Sequence, residues 1–125
     1  MKSTWKTWAL GAVTAVALAI PVVVYAKSAK FDPDVRLGQW KVSLEEQLVK
    51  TVTVQVQRVR GSDRTFINAR FGREGTTFEN GRRVYLKDTE WTTVVWNVNQ
   101  SPNGKQLIIN AYDGEVQLRH VKVQF

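Results

Sequence analysis

The sequence predicts an all-β fold, an antiparallel β-sandwich or barrel of seven to eight short strands with almost no helix. Three observations predict it. Runs rich in Val, Ile, Thr and aromatic residues recur at intervals of roughly ten residues, the spacing of small sandwiches and barrels. Residues 51–57 alternate strictly, with Val52, Val54 and Val56 on one parity and Thr51, Thr53, Gln55 and Gln57 on the other, the period of a strand with one buried face. Asn80 with Gly81, Asn103 with Gly104, and Asp113 with Gly114 punctuate the later runs. Such pairs supply the positive φ angles that tight turns require. Residues 91–123 therefore read as a C-terminal meander of three consecutive antiparallel strands.

The chain has 125 residues and opens with Lys2 and Lys6, followed by an uncharged run at 8–26 that ends Val24, Tyr25, Ala26. A basic start, an apolar middle and small residues at the last and third-last positions are the layout of a secretory signal peptide. The expectation is cleavage after Ala26 and an extracytoplasmic protein, secreted or periplasmic. The alternative is an uncleaved anchor, for which this run is marginal against the ~20 apolar residues that span a bilayer. Residues 27–125, 99 in all, then form one β-sandwich domain. Its charge is +5, from 16 basic and 11 acidic residues, because Lys2 and Lys6 leave with the leader. The chain has no cysteine, so packing and sheet hydrogen bonds must hold the domain where many exported domains use disulfides.

Along the domain, Pro33 discourages helix in the lead-in. Val35, Leu37, Trp40 and Val42 alternate except for a slip at Gly38 and Gln39, the sequence form of a β-bulge. Residues 43–50 are the only plausible helical turn, since Ser43 and Glu46 match a capping box; a polar turn between strands is the alternative. The strand at 51–60 turns at Gly61, Ser62 and Asp63. The next, 65–71, sets Ile67, Ala69 and Phe71 against Phe66, Asn68 and Arg70. A loop at 72–75, a short extended piece at 76–79, the turn at Asn80 and Gly81, and a strand at 82–86 lead into the meander.

Catalytic and metal chemistry find little here. His120 is the only histidine, so a site built from His or Cys ligands lacks its donors. Asp88 and Glu90 could hold a cation, but hard cations take six or more oxygens, and two carboxylates before a strand read as turn residues. His120, without catalytic companions, reads as a half-exposed structural residue. Asn99, Gln100 and Ser101 match a glycosylation triplet, followed by Pro102. The sequence predicts no enzyme, no catalytic residue, no metal and no cofactor.

Binding features are better represented. Arg58, Arg60, Arg64, Arg70, Arg73, Arg82 and Arg83 share a segment whose only acids are Asp63, Glu74 and Glu79. Such an excess attracts polyanions, and it also describes a merely well-solvated surface. An exported location argues against nucleic acid and leaves acidic polysaccharide, lipid headgroups at a membrane surface, or an acidic protein. If Ile67, Ala69 and Phe71 face the core with Val94, Trp96 and Val98 and with Leu107, Ile109 and Ala111, the opposite faces carry a polar set. Asn68, Arg70, Asn97, Asn110 and Tyr112 then form a candidate ligand-binding face. Amides and guanidinium groups hydrogen-bond hydroxyls in defined geometry, and an aromatic ring offers sugar C–H groups a flat partner.

A family resemblance adds to this reading. Glu90, Trp91, Thr92, Thr93 and Val94, the aliphatic Leu107, Ile108 and Ile109, and the ending Gly114, Val116, Leu118, Val121 and Val123 resemble the last strands of galactose-binding-like jelly rolls, among them carbohydrate-binding modules. The resemblance spans about a third of the domain. It implies a jelly-roll-like sandwich and non-catalytic glycan binding. At Arg119 this chain departs from the Asp of many relatives, which removes the basis for a family calcium site. The functional expectation is an exported, non-catalytic carbohydrate-binding protein. The alternative is a structural or accessory cell-envelope protein whose basic face meets an acidic polysaccharide, lipid or protein.

Overall fold

A computed structural model describes residues 27–33 and 35–125; the predicted leader at 1–26 lies outside the described residues. Among the described residues, seven strands form one antiparallel sheet: β1 (Ser28–Phe31), β2 (Val35–Leu37), β3 (Gln39–Val42), β4 (Val49–Phe71), β5 (Val84–Tyr85), β6 (Thr92–Gln100) and β7 (Leu107–Gln124). The central pair is β4 with β7. On its far side β7 carries β1, β2 and β3 in turn, while β4 carries β6 along its first half and β5 near its second. Among the described residues no helix is long and apolar enough to cross a membrane.

The all-β, antiparallel fold class is as the sequence predicts, but the meander is not. β6 pairs with β4 rather than with β7, and Asp113 with Gly114 lies inside one continuous strand. The same holds for Gly61, Ser62 and Asp63, which bend β4 without ending it. Gly61 stands opposite Gly114, and the next pair is Phe66 with Tyr112, so residues 62–65 face Asp113 alone. This large bulge is a corner. Thr65 fixes it, donating its hydroxyl to the Asp113 carbonyl at 2.7 Å and accepting from the Ser62 amide at 3.1 Å. A Cβ on Gly61 would fall 2.8 Å from the Asp113 carbonyl oxygen, and one on Gly114 2.3 Å from that of Arg60. Glycine is therefore required at both positions for close approach as much as for backbone angle.

The corner also reverses parity. Val52, Val54 and Val56 are buried before it, Ile67, Ala69 and Phe71 after it. On β7 the buried set runs Leu107 and Ile109, then Val116 and Leu118, then Val121 and Val123. The second shift falls at His120, whose φ of 51° marks another bulge. Asp32 supports it there, its Oδ1 accepting the His120 backbone N–H at 3.0 Å and lying 3.1 Å from Nδ1. Each bulge keeps an apolar face turned inward, and both halves of the long pair join one core cluster with Trp96, Phe78 and Leu86. A sheet whose two halves share a core is compatible with a sandwich.

Phe78 opens a four-residue helical turn, Phe78–Gly81, where an extended piece was expected. Glu79 and Asn80 take left-handed angles, with φ of 55° and 57°. The buried Phe78 ring meets Phe71 edge-on at 5.1 Å. Glu79 accepts the Asn97 backbone N–H at 2.9 Å, and Arg82 donates to the Val95 carbonyl at 2.8 Å. The turn thus packs against the second half of β4 and covers the edge of β6, where unpaired backbone groups would otherwise invite another strand. Residues 43–50 form no helix; the polar-turn alternative holds, with Glu45 accepting the backbone N–H of Gln47 at 2.9 Å. The slip at Gly38 is the break between β2 and β3, and its carbonyl accepts from Ala111 at 2.7 Å.

Candidate functional site

Beyond the corner, each residue of β4 and β7 that turns from the core meets a counterpart across the strand pair. The register sets Phe66 opposite Tyr112, Asn68 opposite Asn110, and Arg70 opposite Ile108. Neighbouring strands extend these pairs into rows. β5 brings Tyr85 opposite Phe66, and β3 brings Gln39 opposite Asn110 and Lys41 opposite Ile108. Successive rows on one face lie two residues, or about 7 Å, apart. The outer face of this half therefore carries an aromatic row, an amide row and a basic row.

In the aromatic row, the Phe66 ring stacks on Tyr112 at 4.8 Å and lies tilted against Tyr85 at 5.3 Å. The Arg83 guanidinium covers Phe66 at 4.7 Å, a distance at which a cation is attracted to the ring face. Phe66 is buried by these neighbours, whereas Tyr85 is 45% and Tyr112 37% exposed. Two part-exposed phenol rings thus flank a buried one.

The amide row is less satisfied. Gln39 donates its side-chain amide to Asn110 Oδ1 at 2.9 Å. Asn68 Oδ1 and Asn110 Nδ2 are buried and find no hydrogen-bond partner among the described residues, and nor does Arg70 Nε in the next row. One acceptor and two donors are left open on neighbouring positions. Leaving a buried polar group unpaired costs about 1–3 kcal/mol. Such groups are met by ordered water or by a ligand, and the Trp96 indole N–H in the core is likewise without a partner among the described residues.

Four of the five sequence-predicted site residues come together here: Asn68, Arg70, Asn110 and Tyr112. Asn97 does not. It stands opposite Thr51 on the other half of the bent sheet, with its backbone N–H held by Glu79. The solvent exposure expected for the two central asparagines also needs correcting, since Asn68 is 9% and Asn110 5% exposed. Their short side chains sit between longer neighbours, Phe66 and Tyr112 on one row and Arg70 and Ile108 on the other. Tyr85 and Gln39 do not figure in the sequence reading, which has Phe66 on the parity of Asn68 and Arg83 in the arginine-rich segment but places neither on the ligand-binding face. The places of Tyr85 and Gln39 depend on pairing between distant segments.

The arginine-rich segment does not form a single face. Arg58 donates to the Leu86 carbonyl at 2.7 Å, Arg60 pairs with Glu115 at 3.0 Å, and Arg82 pairs with Glu79 at 3.1 Å. Arg83 lies on the aromatic row, Arg70 on the basic row, and Arg73 lines a cavity beside it. Asp88 accepts the Glu90 backbone N–H at 3.0 Å, as a turn residue does. On the other half, Arg119 covers the Trp91 ring at 3.8 Å and donates to Gln55 at 2.8 Å, so that the indole already has a partner.

No protein-family model, curated protein or solved structure matches the chain.

Proposed function

We propose that the protein is an exported, non-catalytic carbohydrate-binding protein whose ligand lies along the outer face built by β3, β4, β5 and β7. The observation that carries this reading is the aromatic row beside the open amide row. Part-exposed tyrosine rings offer flat apolar contact to sugar C–H faces. The open acceptor of Asn68 and donor of Asn110, one row away, complement a hydroxyl, which both donates and accepts. Contact with these shielded atoms requires a flanking side chain to change rotamer, a common adjustment at interfaces. The resemblance of the final segments in sequence to galactose-binding-like jelly rolls points the same way.

Screening the purified protein and its Tyr112→Ala variant on a glycan array tests the reading. The expected result is binding to a defined set of glycans, lost or weakened at least tenfold in the variant while the fold is retained. Equal binding by both proteins, or none by either, would contradict it. A second reading, an accessory envelope protein with an acidic partner, is favoured by the cations clustered on the same half of the sheet.

A further inference from the structure

The basic row ends in a cavity that the carbohydrate reading leaves unused. It has a volume of about 410 Å³ and is lined by Lys41, Arg73, Lys105 and Ile108, with Glu74 as its only acid. Ile108 stands between Lys41 of β3 and Arg70 of β4 in register. It is buried and supplies an apolar wall between two cation-bearing positions.

The loops that form the rim are tied together. Gly72 donates its backbone N–H to the Gln106 carbonyl at 2.9 Å, and Lys105 donates to the Pro102 carbonyl at 3.1 Å. The Gly104 N–H is held by the Glu46 carboxylate. Lys105 lies so close over Gly72 that a Cβ there would come within 2.7 Å of its Cδ. The lysine stem is thus seated on a glycine with φ of 75°. Beside this rim, Arg70 keeps a buried Nε without a hydrogen-bond partner among the described residues. Three cations against the Glu74 carboxylate, with that of Glu46 engaged at the Gly104 N–H, an apolar wall and an adjacent open guanidinium donor suit an anionic group.

We infer that this cavity holds the carboxylate or sulfate of an acidic glycan, so that the ligand of the outer face is a negatively charged oligosaccharide. The inference rests on the carbohydrate reading and narrows it. The aromatic and basic rows lie four residues apart along the strands, or about 14 Å. That span exceeds one sugar ring and suits a short chain stacked on Tyr112 and Tyr85 with its acidic substituent at Lys41, Arg73 and Lys105. Arg and Lys both bind such oxyanions, Arg with two parallel hydrogen bonds where the geometry allows.

The test uses matched probes on the purified protein and on an Arg73→Gln/Lys105→Gln variant. The probes are oligogalacturonate against its methyl ester, a sulfated galactan oligosaccharide against its desulfated, neutral form, inorganic sulfate, and vesicles of anionic phospholipid. The expected result is at least one acidic member bound tenfold or more tightly than its neutral partner, with that margin lost in the variant and neutral binding unchanged. Salt should erode the margin, because exposed charges are screened within about 8–10 Å. Equal affinity for acidic and neutral partners would overturn the cavity's role and leave the carbohydrate reading standing. Sulfate binding that disappears in the variant, with no glycan bound, would overturn both and leave only a small-anion site. Binding to vesicles alone would overturn both in favour of a lipid headgroup.

Discussion

Asn68 and Asn110 decide how the outer face should be understood. Two buried amides left partly unpaired weaken a fold, and an apolar pair of similar size removes that penalty. The Asn68→Val/Asn110→Val variant should therefore be at least as stable as the wild type in denaturant unfolding, the relieved penalty offsetting the lost Gln39 bond, while glycan affinity falls at least tenfold. Loss of stability in that variant would show that the amides serve the fold. Tyr112→Ala should forfeit its stacking on Phe66, worth about 0.5–1.5 kcal/mol, and the domain should still unfold cooperatively. These residues were partly legible in the sequence. Strict alternation exposes parity, and parity put Asn68, Arg70, Asn110 and Tyr112 on one side. It could not say which strands lie next to each other, so Asn97 was grouped with them, and Tyr85 and Gln39 were passed over.

Among the elements, the corner of β4 and β7 teaches most. Asp113 with Gly114 has the chemistry of a hairpin turn, and Gly61 with Ser62 and Asp63 reads the same way. Both sit in continuous strands, because glycine serves a bulge as readily as a turn. Local sequence carries the need for an unusual backbone, whereas the ladder that continues past it comes from a partner some fifty residues away. Gly114→Ala should lower stability by more than about 1 kcal/mol, since its methyl group would press on the Arg60 carbonyl. Thr65→Val keeps the shape but leaves the Asp113 carbonyl and the Ser62 N–H unpaired, and it should cost about 1–3 kcal/mol. Chemical denaturation of both variants checks the corner. A neutral Gly114→Ala would mean that the strands do not approach as closely there as described.

For the whole molecule, bending one sheet about a glycine corner joins two apolar half-faces in one core and leaves two outer faces of different character. One half is dressed with Thr, Gln and the Trp91–Arg119 pair; the other bears the aromatic, amide and basic rows. That division was not legible in the sequence, because it depends on where the bulges fall in the register. The all-β class was legible, because alternation and turn residues recur along the chain. The proposed export predicts that protein recovered from its native host begins at Lys27 by mass spectrometry; intact residues 1–26 in a membrane fraction would contradict it. The carbohydrate reading is tested most directly by following side-chain amide and aromatic NMR resonances during titration with the best-binding oligosaccharide from the array. The account predicts that the largest shifts fall on Asn68, Asn110, Tyr85 and Tyr112. Shifts confined to the opposite half, at Asn97, Trp91 and Arg119, would contradict it.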